Sequence, residues 1–271
     1  MLDQILLLQP LLVIELLALG IVAGFLAGLL GIGGGMLMVP FLTWILNAKG
    51  FAPDITLKMA VATSLTTICF TSLSSVRAHH KRGAVLWPIA WAFAPGILLG
   101  SFIGAQFAAA LPTKLLSVFF SVFIAYSALQ MFLNKKPKPT RVLPQPMGMF
   151  GVGGLIGLLS SLVGAGGAFI SVPFMTWCNV PIHKAVATSA ALGFPIALAG
   201  TLGYIWAGLS LTNVPPGAIG YVYLPAVIVI SIASVSLAPL GAQTAHRIDI
   251  APLKKVFASF LLLLALSFLF H

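Results

Sequence analysis

Hydrophobic and polar positions divide the chain into ten apolar stretches separated by short polar or proline-rich breaks. The stretches run Leu11 to Leu30, Met36 to Leu46, Leu57 to Val76, Ala84 to Ala110, Leu115 to Leu133, Met147 to Val163, Ala168 to Cys178, Ala185 to Ala207, Tyr221 to Ala242 and Pro252 to Phe270. Most have the length of a membrane-spanning helix, about 20 residues. The second and seventh are near eleven residues and contain Pro40 and Pro173, so they cross fully only if flanking residues extend them. The pattern predicts an all-α integral membrane protein of about ten transmembrane segments. The alternative is eight spans plus two re-entrant hairpins.

Composition changes the picture by excluding a soluble fold. The 271 residues are 60% hydrophobic and 7% charged, against roughly 25% charged in soluble domains. The net charge of +10 in a soluble protein would suggest nucleic acid; here basic residues collect in cytoplasmic loops for topological reasons, and no nucleic-acid partner is expected. The first ten residues lack the basic n-region of a cleaved signal and read as part of the mature chain. Cys69 and Cys178 lie in apolar stretches without a CxxC and read as packing residues.

Loop charges then choose between the two topologies. With ten crossings, Arg77, Lys81, Arg82, Lys135, Lys136, Lys138, Arg141, Lys184, Arg247, Lys254 and Lys255 fall on one side, and Lys49, Lys58 and Lys114 on the other. With two re-entrant segments the same 14 residues split evenly. The positive-inside rule favours ten crossings with both termini periplasmic.

The chain is also duplicated. Gly31-Ile32-Gly33-Gly34-Gly35 through Val39-Pro40-Phe41 recurs as Gly164-Ala165-Gly166-Gly167-Ala168 through Val172-Pro173-Phe174. Ala60-Val61-Ala62-Thr63-Ser64 recurs as Ala185-Val186-Ala187-Thr188-Ser189, and Gly104-Ala105-Gln106 as Gly241-Ala242-Gln243. Residues 1–134 therefore form a first membrane repeat, 135–146 a basic cytoplasmic linker and 147–271 a second repeat. Five stretches per repeat is an odd number, so the two must insert with opposite orientations, a common plan for secondary transporters.

The glycine turns are the leading site candidates. Irregular backbone at bilayer depth survives only where protein or a wet cavity satisfies it, and glycine allows positive φ and close approach. Short helices starting after the turns would aim free N–H groups at a cavity and favour an anion. Gly31, Gly33, Gly34, Gly35, Gly164, Gly166 and Gly167 are read as this site, with Pro40 and Pro173 as helix breaks. The ladders Gly20-Gly24-Gly28 and Gly96-Gly100-Gly104 are read as helix packing. Thr63, Ser64, Thr188 and Ser189 either line the cavity or bond their own helix. Gln106 and Gln243 face the interior, bridging helices or touching substrate. Glu15 is a candidate for proton coupling if its helix begins early, and otherwise reaches the interface. Arg77 and His80 belong to a basic loop that sets topology or gates anions. The histidines make no metal site, no cofactor is expected, and the usual catalytic motifs are absent.

Both glycine turns with their Val-Pro-Phe continuation, the Ala-Thr-Ser helices and His80-Lys81-Arg82-Gly83 resemble the sulfite exporter TauE/SafE family, also called the toluene sulfonate uptake permease family. The resemblance covers nearly the whole chain. It implies a secondary transporter of small sulfur-containing oxyanions such as sulfite, sulfonates or sulfoacetate across the bacterial inner membrane, in either direction. It carries over only the glycine turns and the Thr-Ser pairs; the basic loop has no counterpart in the second repeat, where Trp206-Ala207-Gly208 stands. An anion channel is the rival reading, and a non-transporting membrane assembly or sensor protein the rival from another class.

Overall fold

The computed structural model describes residues 10–30, 34–133, 140–212, 214–244 and 250–270. Among them are ten helices, one on each apolar stretch: α1 (Pro10–Leu30), α2 (Gly35–Ala48), α3 (Pro53–His80), α4 (Trp87–Ala110), α5 (Thr113–Leu133), α6 (Pro146–Val163), α7 (Ala168–Trp177), α8 (Ile182–Gly208), α9 (Leu224–Thr244) and α10 (Ile250–Phe270). Seven of them are long and apolar enough to cross a membrane; α2, α7 and the Lys255–Phe268 part of α10 are shorter. The protein is a nearly all-helical, multi-pass membrane protein. Prolines set several starts: Pro53, Pro88 and Pro146 stand in first turns, where a missing N–H leaves no helical bond unmade. Before α9 the chain departs from helix. Gly217 and Gly220 take positive φ and turn it through a small antiparallel hairpin, β1 (Ala218–Ile219) with β2 (Val222–Tyr223).

Pro40 and Pro173 do not end their helices, contrary to the helix breaks read from the sequence. Each lies inside a continuous helix, α2 or α7. Both stand six residues in, so proline removes the donor to one carbonyl near the start, and the later turns close normally.

Packing follows an exchange. α4 packs on α6 and α8, while α9 packs on α1 and α3; α3 packs on α8, α5 on α10, α2 on α3 and α7 on α8. Replacing every helix by the one five places along leaves this pattern unchanged. Two four-helix bodies result, α1-α2-α3-α9 and α6-α7-α8-α4, which meet along α3 and α8. Each body borrows one helix from the other sequence repeat. Burial agrees: 67% of the spanning windows of α3 and α8 is buried, against 33% for α5. Large apolar residues on α5, including Val122, Tyr126 and Leu129, face outward as a lipid-contacting surface does.

Glycine lets the borrowed helices dock. A Cβ at Gly100 of α4 would stand 2.0 Å from the Gly154 carbonyl oxygen of α6, and one at Gly241 of α9 stands 2.0 Å from that of Phe25 in α1. Backbones so close gain dispersion contacts that lipid cannot replace.

The bundle has two distinct ends. At one, Lys58 Nζ donates to the Ala109 carbonyl at 2.7 Å, the Thr113 hydroxyl donates to the Asp54 carbonyl, and Phe51 meets Tyr223 edge-on. At the other, the Thr140 and Arg141 N–H groups donate to the Trp177 carbonyl, and Arg77, Lys81 and Arg82 face Pro239 and Gln243 across a pocket of about 300 Å³. Lys49, Lys58 and Lys114 sit toward the first end and Arg77, Lys81, Arg82, Arg141 and Lys184 toward the second. Lys135, Lys136, Lys138 and Arg247 lie outside the described residues.

Gly100→Ala is expected to lower the detergent-solubilised melting midpoint, since overpacking a close contact costs about 1–3 kcal/mol. Gly151→Ala, with nothing within 4 Å of its Cβ position, should leave the midpoint unchanged or raise it.

Candidate functional site

Left-handed glycines build the centre of the bundle. Gly34 (φ 70°) and Gly167 (φ 78°) stand immediately before α2 and α7, and Gly164 (φ 69°) follows α6. Residues with a Cβ are strained in that region. Gly31 and Gly33 lie outside the described residues. The two turns touch: a Cβ at Gly35 would sit 2.0 Å from the Gly164 carbonyl oxygen and 3.0 Å from the Ala165 Cα. Ser64 in mid-α3 donates to that same Gly164 carbonyl at 3.0 Å, which satisfies backbone that would otherwise be orphaned in the interior.

The threonines serve the borrowed helices. Thr63 Oγ1 accepts the Tyr223 N–H at 3.0 Å, just before α9. Thr188 Oγ1 accepts the Leu86 N–H at 3.0 Å, just before α4. These are equivalent bonds in the two repeats, and they hold the starts of α9 and α4 against α3 and α8. The serines differ: Ser189 shares a 2.7 Å hydroxyl contact with Ser171 of α7.

Beside the second turn lies a cavity of about 20 Å³, room for one water. Thr71, Ser72 and Ser75 of α3 line it on one side, and Gly166, Ser189 and Ala190 on the other. It sits where the two bodies meet. No lining side chain is charged. Thr71 donates to its own helix at Thr67, and Ser72 at Cys69. The Ser75 hydroxyl, on a residue 6% exposed, has no partner. The Ser171–Ser189 pair uses one of its two hydroxyl hydrogens internally, leaving the other to donate. Gly167 O already accepts from Ile170 and Ser171, and helix geometry leaves the Ala168 and Phe169 N–H groups without an intrahelical acceptor. The lining is neutral and rich in hydroxyls.

Thr71, Ser72 and Ser75 escaped the sequence reading. Their signal was present, since Thr63, Thr67, Thr71 and Ser75 recur every four residues along one face of a helix. Lys58 was read as a loop residue; it is 8% exposed inside α3 and 6.0 Å from the Tyr221 ring centre. Its bond to Ala109 places a cation at the C-terminus of α4, where the helix dipole favours it.

The remaining candidates scatter. Gln106 Nε2 bridges α4 to α8 through the Gly203 carbonyl at 2.7 Å, whereas Gln243 is exposed at the end of α9, so the two amides do not share the interior place expected. Its helix ends there, and the side chain borders the basic pocket with Arg77. His80 is exposed and accepts the Trp87 indole N–H at 3.1 Å. Glu15 is half-buried in the second turn of α1, away from the turns. Cys69 and Cys178 are unbridged.

The profile described as sulfite exporter TauE/SafE matches residues 16–268. The chain belongs to the TauE/SafE family. A protein of Haemophilus influenzae named probable membrane transporter protein is 35% identical over 93% of this chain and 96% of its own length. One of Methanocaldococcus jannaschii with a similar name is 30% identical over 95% of this chain and 94% of its own. A third, YunE of Bacillus subtilis, is 30% identical over 71% and 78%. All three relatives are named as probable membrane transporters. No solved structure matches the chain.

Thr63→Val should leave the buried Tyr223 N–H without an acceptor and destabilise this TauE/SafE protein by about 1–3 kcal/mol. Thr188→Val should cost less, because the Leu86 site is only part-buried. Melting midpoints of the purified variants check both.

Proposed function

We propose that this protein is a secondary transporter that moves small sulfur-containing oxyanions, of the sulfite, sulfonate or sulfoacetate kind, across the bacterial inner membrane by alternating access. The observation that carries this reading is the meeting of both glycine turns beside a hydroxyl-lined cavity, at the seam between the two four-helix bodies. The odd number of helices per repeat and the exchange symmetry of the packing support two inverted five-helix repeats. The end carrying Arg77, Lys81, Arg82, Arg141 and Lys184 is then cytoplasmic and the termini periplasmic.

The moving units are the two packed bodies, not the two sequence repeats. Separating the repeats would pull α4 from α6, whose backbones touch at Gly100 and Gly154. Rocking along the α3–α8 seam leaves those contacts intact and opens the cavity first toward one end, then the other. A cavity as small as about 20 Å³ favours a carrier over a channel. Glu15, the carboxylate within α1 of the first body, is the group whose part in proton coupling is to be tested.

In proteoliposomes sulfite flux should saturate, and with the membrane potential clamped to zero, sulfite trapped inside should accelerate uptake of labelled sulfite, an exchange that a channel does not perform. In purified protein, sulfite at about 100 times its dissociation constant should stabilise the fold by about 2.7 kcal/mol; absence of flux and stabilisation with sulfite, thiosulfate and organosulfonates alike refutes the assignment. With an alkylsulfonate, whose charge does not change near neutral pH, Glu15→Gln should remove the pH dependence of flux while leaving ligand stabilisation intact, and unchanged pH dependence excludes this carboxylate.

A further inference from the structure

The helix packing around the two turns is exchange-symmetric, and the side chains beside them are not. Aligning the repeats pairs Ser72 with Ala197, Ser75 with Gly200 and Thr71 with Ile196, and in the opposite direction Ala190 with Leu65. At the second turn, Ala190 is small and Ser75 points its unpartnered hydroxyl into the space left. At the mirror position beside the first turn, Leu65 is fully buried and lies against Gly200, whose Cβ position is 2.8 Å from the Leu65 Cδ1. Leucine fills there what alanine leaves open here. The same asymmetry runs through the short helices, where Ser171 of α7 pairs with Met38 of α2, also fully buried.

We infer that the protein has a single anion site, on the second turn only, made of the Ser75 hydroxyl and the Ser171–Ser189 pair, with the mirror site permanently plugged by Leu65. The inference rests on the transport reading for its ligand class and adds stoichiometry, location and donors. The ligand is a small tetrahedral or pyramidal oxyanion, held by neutral donors without a cationic side chain. Thr71 and Ser72 keep their own hydrogens on the helix carbonyls and shape the wall. The first turn is a structural counterpart that supports the second through the Gly35–Gly164 contact.

The test uses the full-length protein with Cys69→Ala and Cys178→Ala, into which Ser72→Cys, Ser75→Cys or Ala197→Cys is introduced. A small anionic methanethiosulfonate sulfonate should label Ser72→Cys and Ser75→Cys about tenfold faster than Ala197→Cys, and faster than a cationic reagent of the same size does. Adding Ala190→Leu should suppress labelling at Ser75→Cys in protein that still melts cooperatively; should that variant misfold, Ala190→Val serves. Sulfoacetate should protect Ser75→Cys. Equal labelling at Ser72→Cys and Ala197→Cys, no labelling at Ser75→Cys, or no protection by any sulfur oxyanion overturns the one-sided site. Absent flux in proteoliposomes with asymmetric, protectable labelling overturns transport and leaves the site standing.

Discussion

Two polypeptide backbones pressed together inside an apolar bundle are the constraint on which this structure depends. Where Gly35 meets the Gly164 carbonyl, no side chain separates the turns and no lipid or bulk water reaches them. Peptide groups there must find partners in the protein, and Ser64 supplies one for Gly164. Left-handed glycines make the geometry attainable, and the short helices α2 and α7 begin at that point because the chain can turn nowhere else at this depth.

The surrounding helices are arranged to hold that contact. α4 and α9 each cross to the other repeat and dock through glycines at backbone distance. Thr63 and Thr188 then tie the starts of α9 and α4 to the central pair. The exchange means that neither repeat can complete its packing alone. It also fixes the seam along α3 and α8, where the hydroxyl-lined cavity lies. Fold and candidate site thus have one cause: small residues bring backbones together, and the place where they stop being small enough to touch becomes the cavity.

A neutral oxyanion site suits a transporter better than a cationic one. An anion paired with a buried guanidinium would leave slowly, since breaking a desolvated ion pair exposes an unpaired charge. Hydroxyl and peptide N–H donors bind by dipoles and release without leaving a charge behind. The positive charges stand instead toward the ends of the bundle, and at one of these Arg77, Lys81 and Arg82 border a wide pocket and can raise the local anion concentration.

Much of this was legible in the residues. Ten apolar stretches became ten helices, because membrane length and hydropathy constrain helices locally. The paired glycine turns and Thr-Ser motifs were visible as a repeat, since duplication preserves order along the chain. Four features were not legible: the swap of α4 and α9 between repeats, the continuity of α2 and α7 through Pro40 and Pro173, the burial of Lys58, and the cavity wall of Thr71, Ser72 and Ser75. Each depends on which distant helix lies alongside. The same hydroxyl bonds its own carbonyl, caps a neighbouring helix or faces empty space according to that neighbour, and sequence spacing carries no record of it. The amino-acid sequence by itself determined the helices and the family; tertiary packing decided that an open space stays beside the second turn and that Leu65 is fully buried against Gly200.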